Sequence, residues 1–270
     1  MSHFEEKGAV TMSGTPLGRF CWYELMTPDP DAAPAFYAAV AGWGTAPFDG
    51  AGKPYLMWTN GETPIGGVME LPSEAKEMGA PPHWLAHIST PDLPATVARI
   101  KELGGAIVAG PMTIPTVGDF AVVQDPQGAV FSAYQPAGDA PGHDGLPGVG
   151  EFSWTELVTS DREAAWSFYS GVFGWELTEA MDMGPGGIYQ MFSRGAHPLG
   201  GFYNLPEGMT TPAWLFYVRV PDADAAVEKV KELGGSVLNG PMEVPGGGRV
   251  AQCLDPQGAA FAVHSESAEG

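Results

Sequence analysis

The chain has 270 residues, 44% hydrophobic and 11% aromatic, enough apolar side chain for packed cores; at roughly 100–200 residues per domain this length predicts two domains. Twelve Lys and Arg against 32 Asp and Glu leave a net charge of −20 with histidine neutral. A surface that acidic repels phosphate backbones and anionic headgroups, so no nucleic-acid partner and no membrane association is expected.

No apolar run approaches the roughly 18–20 residues of a membrane span, and the opening MSHFEEK lacks the basic and apolar regions of a secretory leader. A cytoplasmic location is expected. The two cysteines, Cys21 and Cys253, cannot build a disulfide framework and are expected to be reduced and buried. Gly and Pro together number 38 + 26 = 64, about double the usual share, which predicts many turns between short strands.

In chain order, Cys21–Thr27 has the apolar, aromatic character of a strand. Ala33, Phe36, Tyr37 and Val40 then fall at i, i+3, i+4, i+7, a helical stripe for which Asp31 is the expected cap, with Pro34 in the first turn. Trp84–Thr90 reads as a strand and Thr90-Pro91-Asp92 opens a second helix that stops at Gly104-Gly105. Asp125-Pro126-Gln127-Gly128 suits a type I turn before a closing strand.

The pattern then recurs. Residues 152–175 match residues 20–43 at 13 of 24 positions, at an offset of 132. Residues 232–261 match 102–131 at 16 of 30, at an offset of 130. Two residues are thus expected to be lost near Asp49–Pro54 and Met181–Gly187. The second copy carries its strand at Ser153–Thr159, its helical stripe at Ala165, Phe168, Tyr169 and Val172, and its closing turn at Asp255–Gly258, with Asp161 and Asp222 expected to cap its two helices. Between the copies lies a Gly-, Pro- and Asp-rich stretch that reads as a linker. The expected division is a tail over 1–13, module 1 over 14–136, a linker over 137–147, module 2 over 148–264 and a tail over 265–270. Each module reads as strand–helix–strand–strand–strand, twice over.

This organisation resembles the vicinal oxygen chelate superfamily of glyoxalases, bleomycin-resistance proteins and extradiol dioxygenases. The residues that carry the resemblance are the strand leading into TPD or TSD, the AFYAAVAGW and SFYSGVFGW helices, and the DPQGA turns. It is nearest to the tandem actinobacterial branch whose members carry a hydroxylase label. The resemblance implies an α+β fold of two tandem modules, each a pair of βαβββ units forming a concave, eight-stranded mixed sheet around a small-molecule pocket. It also implies metal-ligand positions, and these fall at Trp22, Leu85 and Ser132 in module 1 and at Trp154, Leu215 and Ala262 in module 2. None is a competent divalent-metal ligand, so no metal and no cofactor is expected. His83 and His87 have the i, i+4 spacing of a helical zinc pair, but on a strand that spacing spans roughly 13 Å, too far to share an ion.

If Trp22 takes the cavity-facing place, strand alternation puts Glu24, Met26, His83, Leu85, His87, Ser89, Ser132 and Tyr134 in the first pocket. The second receives Trp154, Glu156, Leu215, Tyr217, Arg219, Ala262 and His264, with Arg249 beside them. Glu24, His87 and Glu156 are the candidates for acid–base chemistry, with a structural hydrogen bond as the alternative for each. The copies differ, since His83, His87, Ser89 and Asp119 are matched by Ala213, Tyr217, Arg219 and Arg249. An anionic aromatic ligand should therefore favour module 2. An aromatic wall with one carboxylate suits a small hydrophobic or aromatic molecule, bound without metal by a monomer or homodimer. The alternatives are a glyoxalase-like lyase or cofactor-free hydroxylase or isomerase of aromatic natural products, and an interaction protein with vestigial pockets.

Overall fold

A computed structural model describes residues 14–50 and 55–267. Module 1 runs β1 (Phe20–Thr27), α1 (Ala33–Ala41), β2 (Gly44–Phe48), β3 (Tyr55–Asn60), β4 (Thr63–Glu70), a single helical turn α2 (Ser73–Glu77), β5 (His83–Ser89), α3 (Leu93–Glu102), β6 (Ala106–Ile114), β7 (Gly118–Gln124) and β8 (Val130–Pro136). Module 2 runs β9 (Phe152–Thr159), α4 (Arg162–Phe173), β10 (Glu176–Asp182), β11 (Ile188–Ser193), β12 (Pro198–Asn204), β13 (Ala213–Arg219), α5 (Ala223–Glu232), β14 (Ser236–Glu243), β15 (Arg249–Leu254) and β16 (Ala260–Ser265).

Each module is one eight-stranded sheet, in the orders β2-β3-β4-β1-β5-β8-β7-β6 and β10-β11-β12-β9-β13-β16-β15-β14. Within each βαβββ unit the first strand pairs in parallel with the last, and the two first strands meet antiparallel at the centre. This is the α+β architecture anticipated. No helix among the described residues is long and apolar enough to cross a membrane.

Alternation along the central strands sorts the side chains. Tyr23 and Leu25 of β1 and Trp84, Ala86 and Ile88 of β5 enter a hydrophobic core that draws residues from both modules. Trp22, Glu24 and Met26 lie on the other, concave face. The helices sit between the sheets, α1 against α5 and α3 against α4, so each module's first helix packs on the other module's last. Phe36 and Tyr37 meet Phe261, and Phe168 and Tyr169 meet Phe131, with ring centroids 5.4–6.3 Å apart.

The DPQG turns are joints as well as turns. Asp125 Oδ1 accepts from the amides of Gln127, Gly128 and Ala129, while its Oδ2 accepts from the Tyr169 hydroxyl of module 2 at 3.0 Å. Gln257 reaches across the other way, accepting from Thr27 and the Asp29 amide. The linker is also engaged: Asp144 pairs with Arg19 of module 1 and Arg194 of module 2.

Two expectations are corrected. Asp31 does not cap α1: the N-cap is Ala32, one residue later, and the Ala32 amide donates to Asp29 Oδ1 at 3.1 Å, so the carboxylate that serves this helix start is Asp29. The copies also do not simply lose two residues. Leu71 and Leu205 make matching bonds to Thr27 and Thr159, so the offset there is 134. Module 2 gains two residues before its third strand and drops four where module 1 has α2. Elsewhere the caps fall as anticipated, with Asp92, Asp161 and Asp222 accepting from first-turn amides.

Candidate functional site

In module 1, the centre of the concave face is a buried Glu–His pair. Glu24 on β1 and His87 on β5 are 8% and 7% exposed, with His87 Nε2 lying 3.4 Å from Glu24 Oε2. That contact is too oblique for a hydrogen bond. Among the described residues, Glu24 Oε1 and His87 Nε2 have no hydrogen-bond partner, and neither does Ser132 Oγ, which stands beside His87 in register on β8. Each such buried, unpaired atom costs about 1–3 kcal/mol, and three lie on adjacent strands; all three are sealed from solvent here, so a ligand relieves the deficit only by parting the aromatic walls over them.

The walls are aromatic. Trp22 Nε1 donates to Tyr55 Oη at 3.0 Å, and the Tyr55 phenol faces Glu24; burial, then the Glu24 charge, push its pKa well above the ordinary value. Tyr55 reaches this place because β4 has Gly67, where a Cβ would fall 1.8 Å from the Tyr55 hydroxyl. Phe120 and Tyr134 present themselves edge-on to His87 at centroid distances of 5.8 and 5.9 Å. The Tyr134 hydroxyl donates to Val117 O at 2.8 Å, and burial pushes its pKa up to about 12. Leu85, in register with Glu24, supplies an apolar floor. His83 is not part of this group: it pairs with Met26 at the strand's start and its Nδ1 lies 2.8 Å from Pro81 O.

Module 2 has the same frame with its hydrogen bonds closed. Glu156 Oε1 accepts from Tyr189 at 2.9 Å, and Oε2 accepts from Tyr217 at 2.7 Å and from Gln252 Nε2 at 3.3 Å. Trp154 Nε1 donates to Tyr189 Oη at 2.6 Å, and Leu215 lies in register with Glu156. Burial raises the Glu156 pKa, while the Tyr217, Tyr189 and Gln252 hydrogen bonds pull it back down. Arg219 stands at the rim, donating to Pro147 O and pairing with Glu266. His264 is nearby, its Nδ1 3.1 Å from Ser153 Oγ, and burial followed by the Arg219 charge lowers its pKa. Arg249 is not brought to Glu156. It alternates with Val250 onto the helix side of β15 and pairs with Asp224 at the start of α5.

Of the exchanges between the pockets, three bear on the carboxylate: His87 for Tyr217, Ser132 for Ala262 and Val122 for Gln252. Each places a hydrogen-bond donor on Glu156, or removes an unpaired atom, relative to module 1. Tyr55, Tyr189 and Gln252 escaped the sequence reading. The signal for the tyrosines exists, since residues 55–67 and 189–201 share Y-x-M and P-x-GG, but only at the offset of 134.

The divalent metal implied by the fold does not fit this donor set. Trp22, Leu85, Trp154, Leu215 and Ala262 carry no ligating atom, and Ser132 only a neutral hydroxyl. Among the described residues, no group of three or more His, Cys, Asp or Glu is placed to hold an ion.

Comparison with known proteins gives one answer at several levels. The profile of the Glyoxalase/Bleomycin resistance protein/Dioxygenase superfamily matches residues 151–263, and that of a Glyoxalase-like domain matches residues 22–134. Over 257 residues the chain is 35% identical to "Putative glyoxylase CFP32" of Mycobacterium tuberculosis, covering 93% of this chain and 94% of that one. It is 32% identical to the "Anthracycline biosynthesis protein DnrV" of Streptomyces peucetius, covering 91% and 92%. Among solved structures, the Mn(II)-bound glyoxalase of Novosphingobium aromaticivorans superposes with a TM-score of 0.63 at 16% identity, over 94% of this chain and 83% of that one. The 2,2',3-trihydroxybiphenyl 1,2-dioxygenase of Sphingomonas wittichii does so at 0.65 and 14%, over 94% and 91%. At such identities these two bear on the fold alone.

Proposed function

Because the chain belongs to the Glyoxalase/Bleomycin resistance protein/Dioxygenase superfamily, we propose that its first module binds one small, largely apolar aromatic metabolite without a bound metal. The ligand presents a hydroxyl next to a carbonyl. Its O–H donates to Glu24 Oε1, and its carbonyl accepts from Ser132 Oγ or from the His87 ring. The observation that carries this reading is the set of three buried atoms lacking partners, Glu24 Oε1, His87 Nε2 and Ser132 Oγ, inside aromatic walls. The relatives named for anthracycline biosynthesis favour a fused-ring ligand of that kind.

The same pair supports a second reading, proton transfer. A carboxylate beside an imidazole takes the acidic proton of an enolisable ligand and returns it to a neighbouring atom of the same molecule, an isomerisation that needs no redox partner. The glyoxylase name of the 35% identical relative favours turnover over simple binding.

The test is titration with 1,4-dihydroxyanthraquinone, a neutral fused-ring ligand with hydroxyls beside carbonyls, followed through tryptophan fluorescence. Saturable binding is expected, weakened about 10- to 100-fold in Glu24→Gln, the scale of a hydrogen bond to a charged group. No saturable binding, or equal affinity in Glu24→Gln, contradicts the proposal.

A further inference from the structure

A different part of the molecule gathers its scarce cations. The chain has six arginines and six histidines. Arg19, Arg194 and Arg219, with His143, His197 and His264, line one cleft of about 440 Å³ between the modules, roofed by Gly142–Pro147 of the linker. Three carboxylates, Asp144, Glu151 and Glu266, line the cleft as well, so in a protein of net charge −20 its arginines are locally balanced and become free to take an outside anion only when a loop carboxylate leaves. The apolar part of the wall includes Phe20, Phe152 and the ring of Trp154. A volume of this size suits a small organic molecule.

The cations already hold carboxylates, and the way they hold them is informative. Arg19 grips Asp144 as a fork, Nε to Oδ1 at 3.0 Å and Nη2 to Oδ2 at 2.6 Å, and Arg194 Nη1 also donates to Oδ1. The arginine side chains are 18% and 22% exposed, whereas Asp144 is 45% exposed. The less exposed partners are thus the cations, and the anion is carried on the outer linker loop. Arg219 is likewise met by Glu266 near the chain's end and by Pro147 O, and His143 by Glu151. Among the described residues, no hydrogen bond or ion pair engages the His197 ring.

We propose that this cleft is a second small-molecule site, for an aromatic carboxylate, and that Asp144 is its built-in occupant, displaced when the ligand arrives. Exchanging one carboxylate for another on the Arg19–Arg194 pair keeps the fork-to-fork geometry that guanidinium groups favour. The ligand's ring then gains burial against Phe20, Phe152 and Trp154, which an aspartate side chain cannot supply. The field that selects for an anion is visible in Asp144 itself, whose pKa is lowered to about 2, chiefly by its hydrogen bond from Arg19. This site shares no side chain with the Glu24–His87 pocket, so the two proposals stand or fall separately.

The test uses 2-naphthoate as probe and the full chain, with binding read by calorimetry. Wild type is expected to bind it saturably. Asp144→Asn, which removes the internal competitor, is expected to bind at least tenfold more tightly. Arg194→Ala is expected to lose saturable binding, with Arg194→Lys intermediate because it keeps the charge and loses the Nε bond to Leu17 O that fixes the side chain; circular dichroism checks that each variant is folded. The neutral 2-naphthamide is expected not to bind. Equal affinity of wild type and Asp144→Asn overturns the proposal, as do absence of binding in both, binding of the amide as tight as that of the acid, or an unaffected folded Arg194→Ala.

Discussion

Tyr37 of the first module donates to Asp255 Oδ2 of the second at 3.1 Å while accepting from Trp84 Nε1 at 3.0 Å. Tyr169 repeats the arrangement in reverse, donating to Asp125 and accepting from Trp214, each at 3.0 Å. Both phenols are completely buried, and both pKa values are pushed well above the ordinary range by burial and then by the aspartate charge. A phenol that must stay protonated to donate is thereby kept so. The relationship makes the two modules one cooperative structure, because each closing turn is completed only by the other module's helix.

Tyr37→Phe leaves Asp255 Oδ2 and Trp84 Nε1 short of a partner in the core. The expected loss is about 1–3 kcal/mol of unfolding free energy, read from denaturant midpoints with a single transition for the whole chain. A loss below about 0.5 kcal/mol, or separate transitions for the two modules, contradicts this account.

The contrast between Glu24 and Glu156 is transferable. Val122 occupies the place of Gln252, on the strand next to Ser132. Val122→Gln introduces an amide donor aimed at Glu24, satisfying it internally as Gln252 satisfies Glu156. Affinity for 1,4-dihydroxyanthraquinone is expected to fall about tenfold, equivalent to roughly 1.4 kcal/mol. Unchanged affinity in a folded variant would mean that the unpaired atoms of module 1 do not hold the ligand.

Glu156 makes a pH prediction with a definite sign. Its folded pKa is raised, with burial the leading cause. Below the ordinary carboxylate range both folded and unfolded chains carry the proton, and the group contributes no pH dependence. As pH rises above that range the unfolded chain ionises first, so stability falls until the folded pKa is passed. Glu156→Gln removes this slope, so wild type should lose stability relative to the variant as pH rises through that window. The difference between the two stability–pH curves measures it, and a difference of opposite sign refutes the assignment.

Both thiols are predicted to be inert in the native chain. Cys21 and Cys253 are buried, and burial pushes their pKa values up to about 12 and about 11. The thiolate is the reactive form. An aromatic disulfide reagent at pH 8 should therefore label neither within the time in which it labels both in denaturant. Rapid native labelling would show that the strands holding them open.

The two-fold repeat, the strand–helix order and the helix caps at Asp92, Asp161 and Asp222 were legible in the sequence because each rests on local chemistry. So was the shared concave face of Trp22, Glu24 and His87, since alternation on a central strand follows from one fixed residue. Parity fails for Arg249 because that inference came from alignment between copies, whereas the alternation of β15 sends its side chain toward α5. Tyr55 and Tyr189 were hidden by the shift in offset to 134, and Gln252 because its partner Glu156 lies 96 positions away in the chain. The Tyr37–Asp255 bond was invisible for the same reason. DPQG explains its own turn through Asp Oδ1, and nothing local reveals what Oδ2 does.

The most direct test of the central claim is the stoichiometry of 1,4-dihydroxyanthraquinone binding, measured by calorimetry on wild type, Glu24→Gln and Glu156→Gln. A single ligand per chain is predicted, because among the described residues only module 1 has unpaired buried polar atoms on its concave face, while Glu156 is closed by Tyr189, Tyr217 and Gln252. Glu24→Gln should weaken that one site about 10- to 100-fold, and Glu156→Gln should leave its affinity unchanged. Two equivalent sites per chain, or a single site weakened by Glu156→Gln and not by Glu24→Gln, would contradict the account.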